Sequence, residues 1–137
     1  MKHDENPYHK PSYSNDPKFI CKIPMKTVSE ANRSEHWGTA ASRHKKQKRR
    51  IAQEFMVHKP KITLPCEIML YKIAPRFLDK HDNLCMSFKY ILDGICEYIT
   101  PGLAVGMADG VEGIEVFYFQ QKGEPKEYAI EIQIYCK

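Results

Sequence analysis

The C-terminal segment of the chain places the strongest constraint on the fold. Between Glu127 and Tyr135, apolar and polar side chains alternate: Tyr128, Ile130, Ile132 and Ile134 fall on one side, and Glu127, Glu131 and Gln133 fall on the other. This alternation is typical of a β-strand with one buried face and one polar face. Ile114 to Gln121 predicts a second strand, and the sequence Lys122-Gly123-Glu124-Pro125 between the two predicts a hairpin turn. We therefore expect a sheet that includes a terminal hairpin.

The rest of the chain predicts strands separated by helices. Phe19–Ile23 is a short strand candidate, and a helix is expected from His36 to His58. Ile62–Ile73 predicts a further strand, in which Pro65 suggests a sheet edge or a bulge. A second helix covers Asp82–Ile99. The order β-α-β-α-β-β predicts an α+β protein: a single domain with a mixed β-sheet, two helices packed on the sheet and a terminal β-hairpin.

Length and composition are those of one ordinary globular domain. The chain has 137 residues, of which 42% are hydrophobic and 28% are charged, so it can form one hydrophobic core but not two. Residues 1–17 are polar and contain three prolines, which predicts a flexible N-terminal arm ahead of a domain formed by residues 18–137. The sequence has neither an apolar run of membrane-spanning length nor a signal-peptide start. We expect a cytoplasmic protein with no membrane partner.

The cysteines do not form a recognisable framework. There are five, they are scattered, and no two have the spacing of a CxxC pair: Cys21, Cys66, Cys85, Cys96 and Cys136. A disulfide framework and a zinc site are therefore both poorly supported. We expect most of these residues to be small buried hydrophobic side chains.

A basic run lies in the first predicted helix. Six of the eight residues from Arg43 to Arg50 are lysine or arginine, within a chain whose net charge is +4. On a helix, such a run suits contacts with the phosphates of a nucleic acid. The alternative is a solvated face or a non-specific polyanion patch. The candidate DNA-binding residues in this run are Arg43, Lys45, Lys46, Lys48, Arg49 and Arg50.

A row of charged residues lies on the second predicted helix. At about 100° per residue, Asp82, Lys89 and Asp93 fall within roughly 40° of one another, away from the apolar stripe of the same helix. Asp79 comes just before the helix, and Asp109 lies in the loop that follows it. Carboxylates that gather at one place repel unless a cation joins them, and Mg²⁺ is the usual one. The alternative is an ordinary solvated helix with a capped start and a surface Lys–Asp pair.

The acidic residues could meet at one end of the sheet. The strand that ends near Pro75, the helix that begins near Asp82 and the loop that carries Asp109 can converge there. Two metal ions held by such acids could bridge a phosphodiester and stabilise its leaving oxygen. Lys89 could hold the phosphate or the charge of the transition state.

These segments together resemble a known family. The matching pieces are Leu78–Leu84, Lys89, Leu92–Ile95, Gly106–Asp109 and Tyr118–Gly123. Their pattern resembles the RusA family of Holliday-junction resolvases, in particular its phage and prophage branch. The segment Asn32–Trp37 ahead of the basic helix is similar to an Asn…His-Trp segment of that branch. The resemblance covers about residues 28–135.

The resemblance implies a function, a metal and a set of partners. Members of the family are small homodimers that bind four-way DNA junctions and nick two strands symmetrically, using Mg²⁺ or Mn²⁺ held by aspartates. Carried over by position, Asp82 and Asp109 are the expected metal ligands and Lys89 is the family lysine. Asp79 and Asp93 are further acids of the matching pattern. No organic cofactor is expected.

The chain also departs from the family pattern. Lys80 and His81 stand where the family usually has acids, and Ala108 replaces an acid in the loop. His81 could serve as a nitrogen ligand to the metal, whereas Lys80, together with Arg76, joins the expected DNA contacts. Two functions therefore stay open: a metal-dependent structure-specific DNA endonuclease, and a non-catalytic DNA-binding protein with a degenerate metal site. A more remote third is a structural or regulatory protein whose basic helix contacts an acidic partner.

Overall fold

The computed structural model of the protein describes residues 2–4, 11–12, 16–28, 37–78, 81–101 and 112–137, and of residues 2–4, 37, 81 and 82 it describes the backbone alone. Its elements in chain order are strand β1 (Lys2–Asp4), strand β2 (Phe19–Ile23), helix α1 (Trp37–His58), strand β3 (Cys66–Ala74), helix α2 (His81–Ser87), helix α3 (Lys89–Ile99), strand β4 (Ile114–Lys122) and strand β5 (Ala129–Cys136). Within the described residues, none of the helices has the length and apolar character needed to cross a membrane.

The strands form one open, mixed sheet in the order β1-β4-β3-β5-β2. Strand β3 is parallel to β4 and antiparallel to β5, and β5 is antiparallel to β2. The three-residue strand β1 extends the sheet beyond β4 in parallel. The predicted α+β class with a mixed sheet is therefore confirmed. The predicted order lacks β1, because the sequence Lys-His-Asp has none of the apolar alternation that indicates a strand.

The predicted terminal hairpin is wrong, because β3 lies between β4 and β5. Strand β3 is buried along almost its whole length, so its backbone groups on both sides need partners from neighbouring strands. The turn after β4 crosses the end of β3, where the Gly123 N–H donates a hydrogen bond to the Ala74 carbonyl (2.9 Å). Pro65, interpreted as a sign of an edge or a bulge, comes immediately before β3, which is central rather than at an edge.

The second predicted helix is in fact two helices that meet at Phe88. The backbone of Phe88 has φ −104° and ψ 4°, and its N–H donates to the carbonyl of Cys85, three residues back (3.1 Å). The Phe88 side chain is fully buried and lies near the ring of Tyr118. Asp82 therefore belongs to α2, whereas Lys89 and Asp93 belong to α3. The predicted continuous row of charges on one helix is wrong.

The helices cover one face of the sheet and form the main core with it. Ile51 and Phe55 of α1 and Ile91 and Ile95 of α3 are all buried in this core. The two helices approach closely at Gly94, where an added Cβ would lie 3.3 Å from both Cβ and Cγ2 of Ile51. Because His44 stacks on Tyr90 near the start of both helices and Phe55 stacks on Tyr98 near their ends, α1 and α3 run in the same direction.

The other face of the sheet has a smaller, mainly aromatic cluster, made of Met69, Phe117, Phe119 and Tyr135 with Tyr71 packed against it.

Part of the segment predicted as a flexible arm makes contacts with the sheet. Residues 2–4 form β1, and the backbone N–H of Ser12 donates to Oε1 of the buried Glu67 (2.6 Å).

The cysteines are free, and all but Cys85 are buried. Burial is the main cause that raises the pKa of the Cys21 and Cys66 thiols to about 12. Both therefore stay protonated near neutral pH and behave as small hydrophobic side chains. The prediction that most cysteines are buried is confirmed.

Three strands end at the same edge of the sheet. Since β2 and β3 are both antiparallel to β5, and β4 is parallel to β3, all three run in one direction. The residues that follow them, Pro24–Thr27, Pro75–Leu78 and Gly123, therefore share one edge, called here the carboxyl edge. In open sheets covered by helices, this is the edge at which ligands usually bind.

Candidate nucleic-acid interface

A cationic groove lies beside the carboxyl edge, between the segment that follows β2 and the first half of α1. This β2–α1 groove has a volume of about 790 Å³. Pro24 and Met25 contribute apolar surface, whereas Thr39 and Ser42 contribute hydroxyl groups. Four cations line it: Lys26, Arg43, Lys46 and Arg50. The arrangement suits an anionic ligand that also has an apolar surface.

The basic run of α1 is divided between two sides of the helix. Arg43, Lys46 and Arg50 are spaced by three and four residues and lie on the side of the β2–α1 groove. Lys45, Lys48 and Arg49 line a second groove of about 520 Å³, together with Gly94, Glu97 and Tyr98 of α3. The six cations therefore do not form a single stripe.

Lys48 and Arg50 already have acidic partners. Lys48 Nζ lies 3.3 Å from Glu97 Oε2 across the α1–α3 contact. Arg50 Nη1 lies 2.6 Å from Glu54 Oε1 on the same helix. Among the carboxylates that the structure describes, none lies within ion-pair distance of Lys45, Lys46 or Arg49. These three are better placed than Lys48 and Arg50 to neutralise phosphates.

Lys89 and Asp93 differ in their exposure, although they lie one turn apart on α3. Lys89 is exposed, and its Nζ lies 5.4 Å from the centre of the Tyr90 ring. That ring stacks on His44 of α1, with ring centres 3.3 Å apart, so Lys89 stands close to the basic helix. Asp93 is only 6% exposed and interacts within the protein. The alternative interpretation, a solvated surface pair of Lys89 and Asp93, is therefore wrong.

Most of the predicted metal site lies outside the described residues. This applies to Asp79, Lys80, Ala108 and Asp109. His81 and Asp82 form the first turn of α2, where the backbone alone is described. The described side chains include no group of three histidines, cysteines or carboxylates arranged to hold a metal ion. Arg76, a predicted DNA contact, is exposed on the segment after β3.

The chain that leads into the acidic segment is held firmly at the carboxyl edge. The Leu78 N–H donates to Gln120 Oε1 (2.7 Å), and Gln120 Nε2 donates back to the Leu78 carbonyl (3.2 Å). Gln120 belongs to β4 and therefore fixes the backbone one residue before Asp79. The chain is thus fixed at the carboxyl edge as far as Leu78, and α2 begins three residues later, at His81.

A buried lysine connects this point to the wall of the groove. Lys72 lies opposite Gln120 in the register of β3 and β4 and is only 6% exposed. Its Nζ donates to both the carbonyl oxygen (2.6 Å) and Oγ1 (2.7 Å) of Thr27. Burial, with a contribution from Lys26, lowers the pKa of Lys72 to about 8. The lysine therefore anchors the segment Pro24–Thr27, which forms one wall of the β2–α1 groove.

The sequence predictions did not identify Lys72, Gln120 or Gln47, a buried residue of the β2–α1 groove. A signal existed for Lys72, because a single lysine inside a strand with two apolar faces must be paired or neutralised when buried. No local signal marks Gln120 or Gln47, since their roles depend on which strand and which segment lie beside them.

No family model, curated protein or solved structure matches this chain.

Proposed function

We propose that this protein is a metal-dependent endonuclease that nicks branched DNA, such as a four-way junction, as its resemblance to the RusA family implies. The observation that carries the proposal is the common position of two features. The Leu78 backbone, which leads into the acidic segment, and the β2–α1 groove both lie at the carboxyl edge. Basic side chains can grip the phosphates there while the acids of the neighbouring segment reach the scissile bond.

Mg²⁺ or Mn²⁺ suits the donors of this segment, because hard divalent ions prefer carboxylate oxygens. Asp82, in the first turn of α2, and Asp109 would hold the metal, with Asp79, Asp93 and His81 as the further candidates. Bound there, the metal would polarise the phosphodiester and lower the pKa of an attacking water. Lys89 is exposed beside the basic helix, where its ammonium can stabilise charge that develops on the phosphate.

The proposal includes a homodimer, because paired nicks in a junction of near two-fold symmetry need two equivalent sites. It also places the protein in the cytoplasm and treats residues 18–137 as one endonuclease domain. DNA contacts come from the two sides of α1 and from Arg76 and Lys80 near the acidic segment.

The test is a nicking assay on a four-way junction with Mg²⁺ or Mn²⁺. Asp82→Asn or Asp109→Asn should lower the nicking rate on the order of a hundredfold or more, because a carboxylate that holds the catalytic ion is lost. Junction binding in a gel-shift assay should remain. Asp16→Asn is the matched control, since Asp16 is exposed and far along the chain from the acidic segment. Nicking that survives both changes would sink the proposal.

A non-catalytic DNA-binding protein is the second candidate. It is favoured by the replacement of family acids with Lys80, His81 and Ala108. A wild-type protein that binds junctions tightly, yet nicks no branched DNA with either metal, would establish this alternative.

A further inference from the structure

Gln47 is an unusual residue in the β2–α1 groove. It lies on α1 between the cations Lys46 and Lys48, lines the groove, and is only 4% exposed. Its Oε1 atom is buried and, among the described residues, receives no hydrogen bond. Burying an acceptor without a donor is unfavourable, and nearly all buried polar atoms in proteins have partners. An acceptor kept in this state at the wall of a groove suggests that a ligand provides the donor.

The groove around Gln47 restricts what that ligand can be. Lys26, Arg43 and Lys46 favour an anion, whereas Pro24 and Met25 offer an apolar surface for a flat ring. The groove volume of about 790 Å³ lies within the range of small-molecule sites. The required ligand thus has a negative charge, an apolar ring and an N–H group. A simple phosphate or sulfate ion meets the first requirement alone.

We propose that the β2–α1 groove binds a single unpaired nucleotide of a DNA strand, with the phosphate on Arg43 and Lys46 and a base N–H donating to Gln47 Oε1. Every DNA base has an N–H group on the edge that pairs with the opposite strand. In a duplex these groups are already hydrogen-bonded, so Gln47 selects a base that has lost its partner. The terminal torsion of a glutamine side chain is soft, which lets Oε1 turn toward the base.

This inference rests on the proposed action on branched DNA and adds the part of the substrate that is recognised. Flaps and forks contain unpaired nucleotides, and at a four-way branch point the terminal pair of each arm lacks a stacking neighbour in its own duplex, so it opens more readily than a pair inside a duplex. Extruding a base costs least where it is already unstacked or unpaired. The groove therefore distinguishes a branch from a continuous duplex, and the second groove of α1 holds the phosphates of the arms.

The test is fluorescence anisotropy with a fluorescein-labelled single-stranded oligonucleotide of about eight nucleotides, a length typical of single-strand sites. The corresponding duplex is measured in parallel, and EDTA is present so that no nicking occurs. Gln47→Leu should weaken single-strand binding about five- to tenfold, the loss expected for one hydrogen bond to a buried acceptor. Duplex binding and the salt dependence of both should not change.

The matched control is Gln53→Leu, the same substitution at an exposed position of α1, which should leave all binding unchanged. The melting temperature adds a second readout. Removing an acceptor without a donor should leave Gln47→Leu as stable as the wild type or more stable. A loss of binding with no loss of stability is a result that a merely structural glutamine would not give. If Gln47→Leu fails to fold, Gln47→Met replaces it, because methionine is unbranched and of similar length.

Three results would overturn the inference. In the first, the folded leucine or methionine variant binds single-stranded DNA as the wild type does, which means that a buried water satisfies Gln47. In the second, single-strand and duplex binding fall equally, so the groove recognises phosphate alone. In the third, the wild type binds no single-stranded DNA. Because the measurements need no metal and no cleavage, a failure of the endonuclease proposal appears separately, in the Asp82→Asn and Asp109→Asn assays.

Discussion

At the scale of single residues, the burial of Lys72 has a measurable energetic consequence. Its ammonium group is buried near the end of the central strand, and both of its described hydrogen bonds go to Thr27. The desolvation of this charge is unfavourable, while the two hydrogen bonds hold the segment Pro24–Thr27 against the sheet. The same residue therefore costs stability and fixes the wall of the β2–α1 groove.

This burial predicts a specific dependence of stability on pH. The pKa of Lys72 falls from 10.5 to about 8, mainly through burial. Between these two values the unfolded chain binds a proton that the folded protein lacks, so the free energy of unfolding rises with pH through this window. Urea unfolding measures this effect. Between about pH 7.5 and 9.5, the free energy of unfolding of the wild type should rise by about 2 kcal/mol more than that of Lys72→Met.

Lys61→Met provides the control for this measurement, because Lys61 is exposed. Its pH profile should follow that of the wild type. The upper limit of the window matters, since burial raises the pKa of Tyr71 and Tyr135 above 10 and their ionisation acts in the opposite direction. Identical pH profiles for the wild type and Lys72→Met would contradict the prediction.

The sequence predicted individual residues best where one local property decides their environment. The buried cysteines followed from their scattered positions and the lack of a metal-binding spacing. The helical spacing placed Lys89 and Asp93 together, away from the apolar stripe, yet Lys89 is exposed and Asp93, one turn away, is buried. A carboxylate at that angle is exposed on an isolated helix, and only the packing of α3 into the fold buries it.

At the scale of elements, the hydrophobic period predicted each long helix but not the break at Phe88. Both α2 and α3 direct apolar residues, such as Leu84 and Ile91, into the same core, so their combined period looks like that of one helix. The break comes from Phe88 itself, whose burial coincides with a tighter three-residue hydrogen bond. No proline or glycine precedes this position to signal it.

The contact between α1 and α3 depends on Gly94. A Cβ there would already lie 3.3 Å from Ile51, and a valine would add two more carbon atoms. Gly94→Val should therefore lower the free energy of unfolding by about 2 kcal/mol, the typical cost of overpacking a core. Gln53→Val, at an exposed position of α1, controls for helix propensity and should cost well under about 1 kcal/mol. Urea unfolding measures both, and equal stability of the two variants would refute the tight contact.

The two sides of α1 should contribute separately to DNA affinity. One double variant, Arg43→Gln with Lys46→Gln, removes cations from the β2–α1 groove, and another, Lys45→Gln with Arg49→Gln, removes them from the second groove. Each lost phosphate contact should reduce the slope of log K against log salt by about 0.9 where the second groove holds a duplex arm, and by about 0.7 where the β2–α1 groove holds an unpaired nucleotide. Lys48→Gln should have less effect, because Glu97 already neutralises Lys48.

Fluorescence anisotropy of a four-way junction at several salt concentrations measures these slopes. Lys61→Gln is the control, since Lys61 is exposed and outside the basic run. If both double variants keep the wild-type slope and affinity, the basic run is a solvated face, as the alternative interpretation holds.

At the scale of the whole molecule, local patterns predicted the class but not the pairing of the strands. The α+β class and the mixed sheet followed from the alternation of periods along the chain. The turn at Lys122–Pro125 correctly marked a reversal, because β4 and β5 do run in opposite directions. It could not reveal that β3 lies between them, since that pairing is non-local and depends on β3 needing a neighbour on both sides.

The corrected topology also changes where a dimer can form. The sequence suggests two elements whose open edges could form a dimer, the terminal hairpin and the first strand candidate, Phe19–Ile23. In the fold, however, β5 is paired on both sides, and so is β4. Of the described strands, the ones at the two ends of the sheet are β1, with three residues, and β2, with five. Strand β2 is therefore the longer open edge for a second copy of the chain.

Pairing of two β2 strands in a two-fold dimer places copies of the same exposed residues near one another. Ile20 is 52% exposed on β2. A charged residue at this position should prevent the dimer, because like charges on neighbouring strands repel. Light scattering at micromolar concentration should give the wild type twice the chain mass of 16.0 kDa and should give Ile20→Lys the mass of a monomer. Met56→Lys, a matched change at a residue of α1 that is 71% exposed, should stay dimeric. A wild-type monomer that junction DNA does not convert to a dimer would refute this assembly, and with it the geometry for paired nicks.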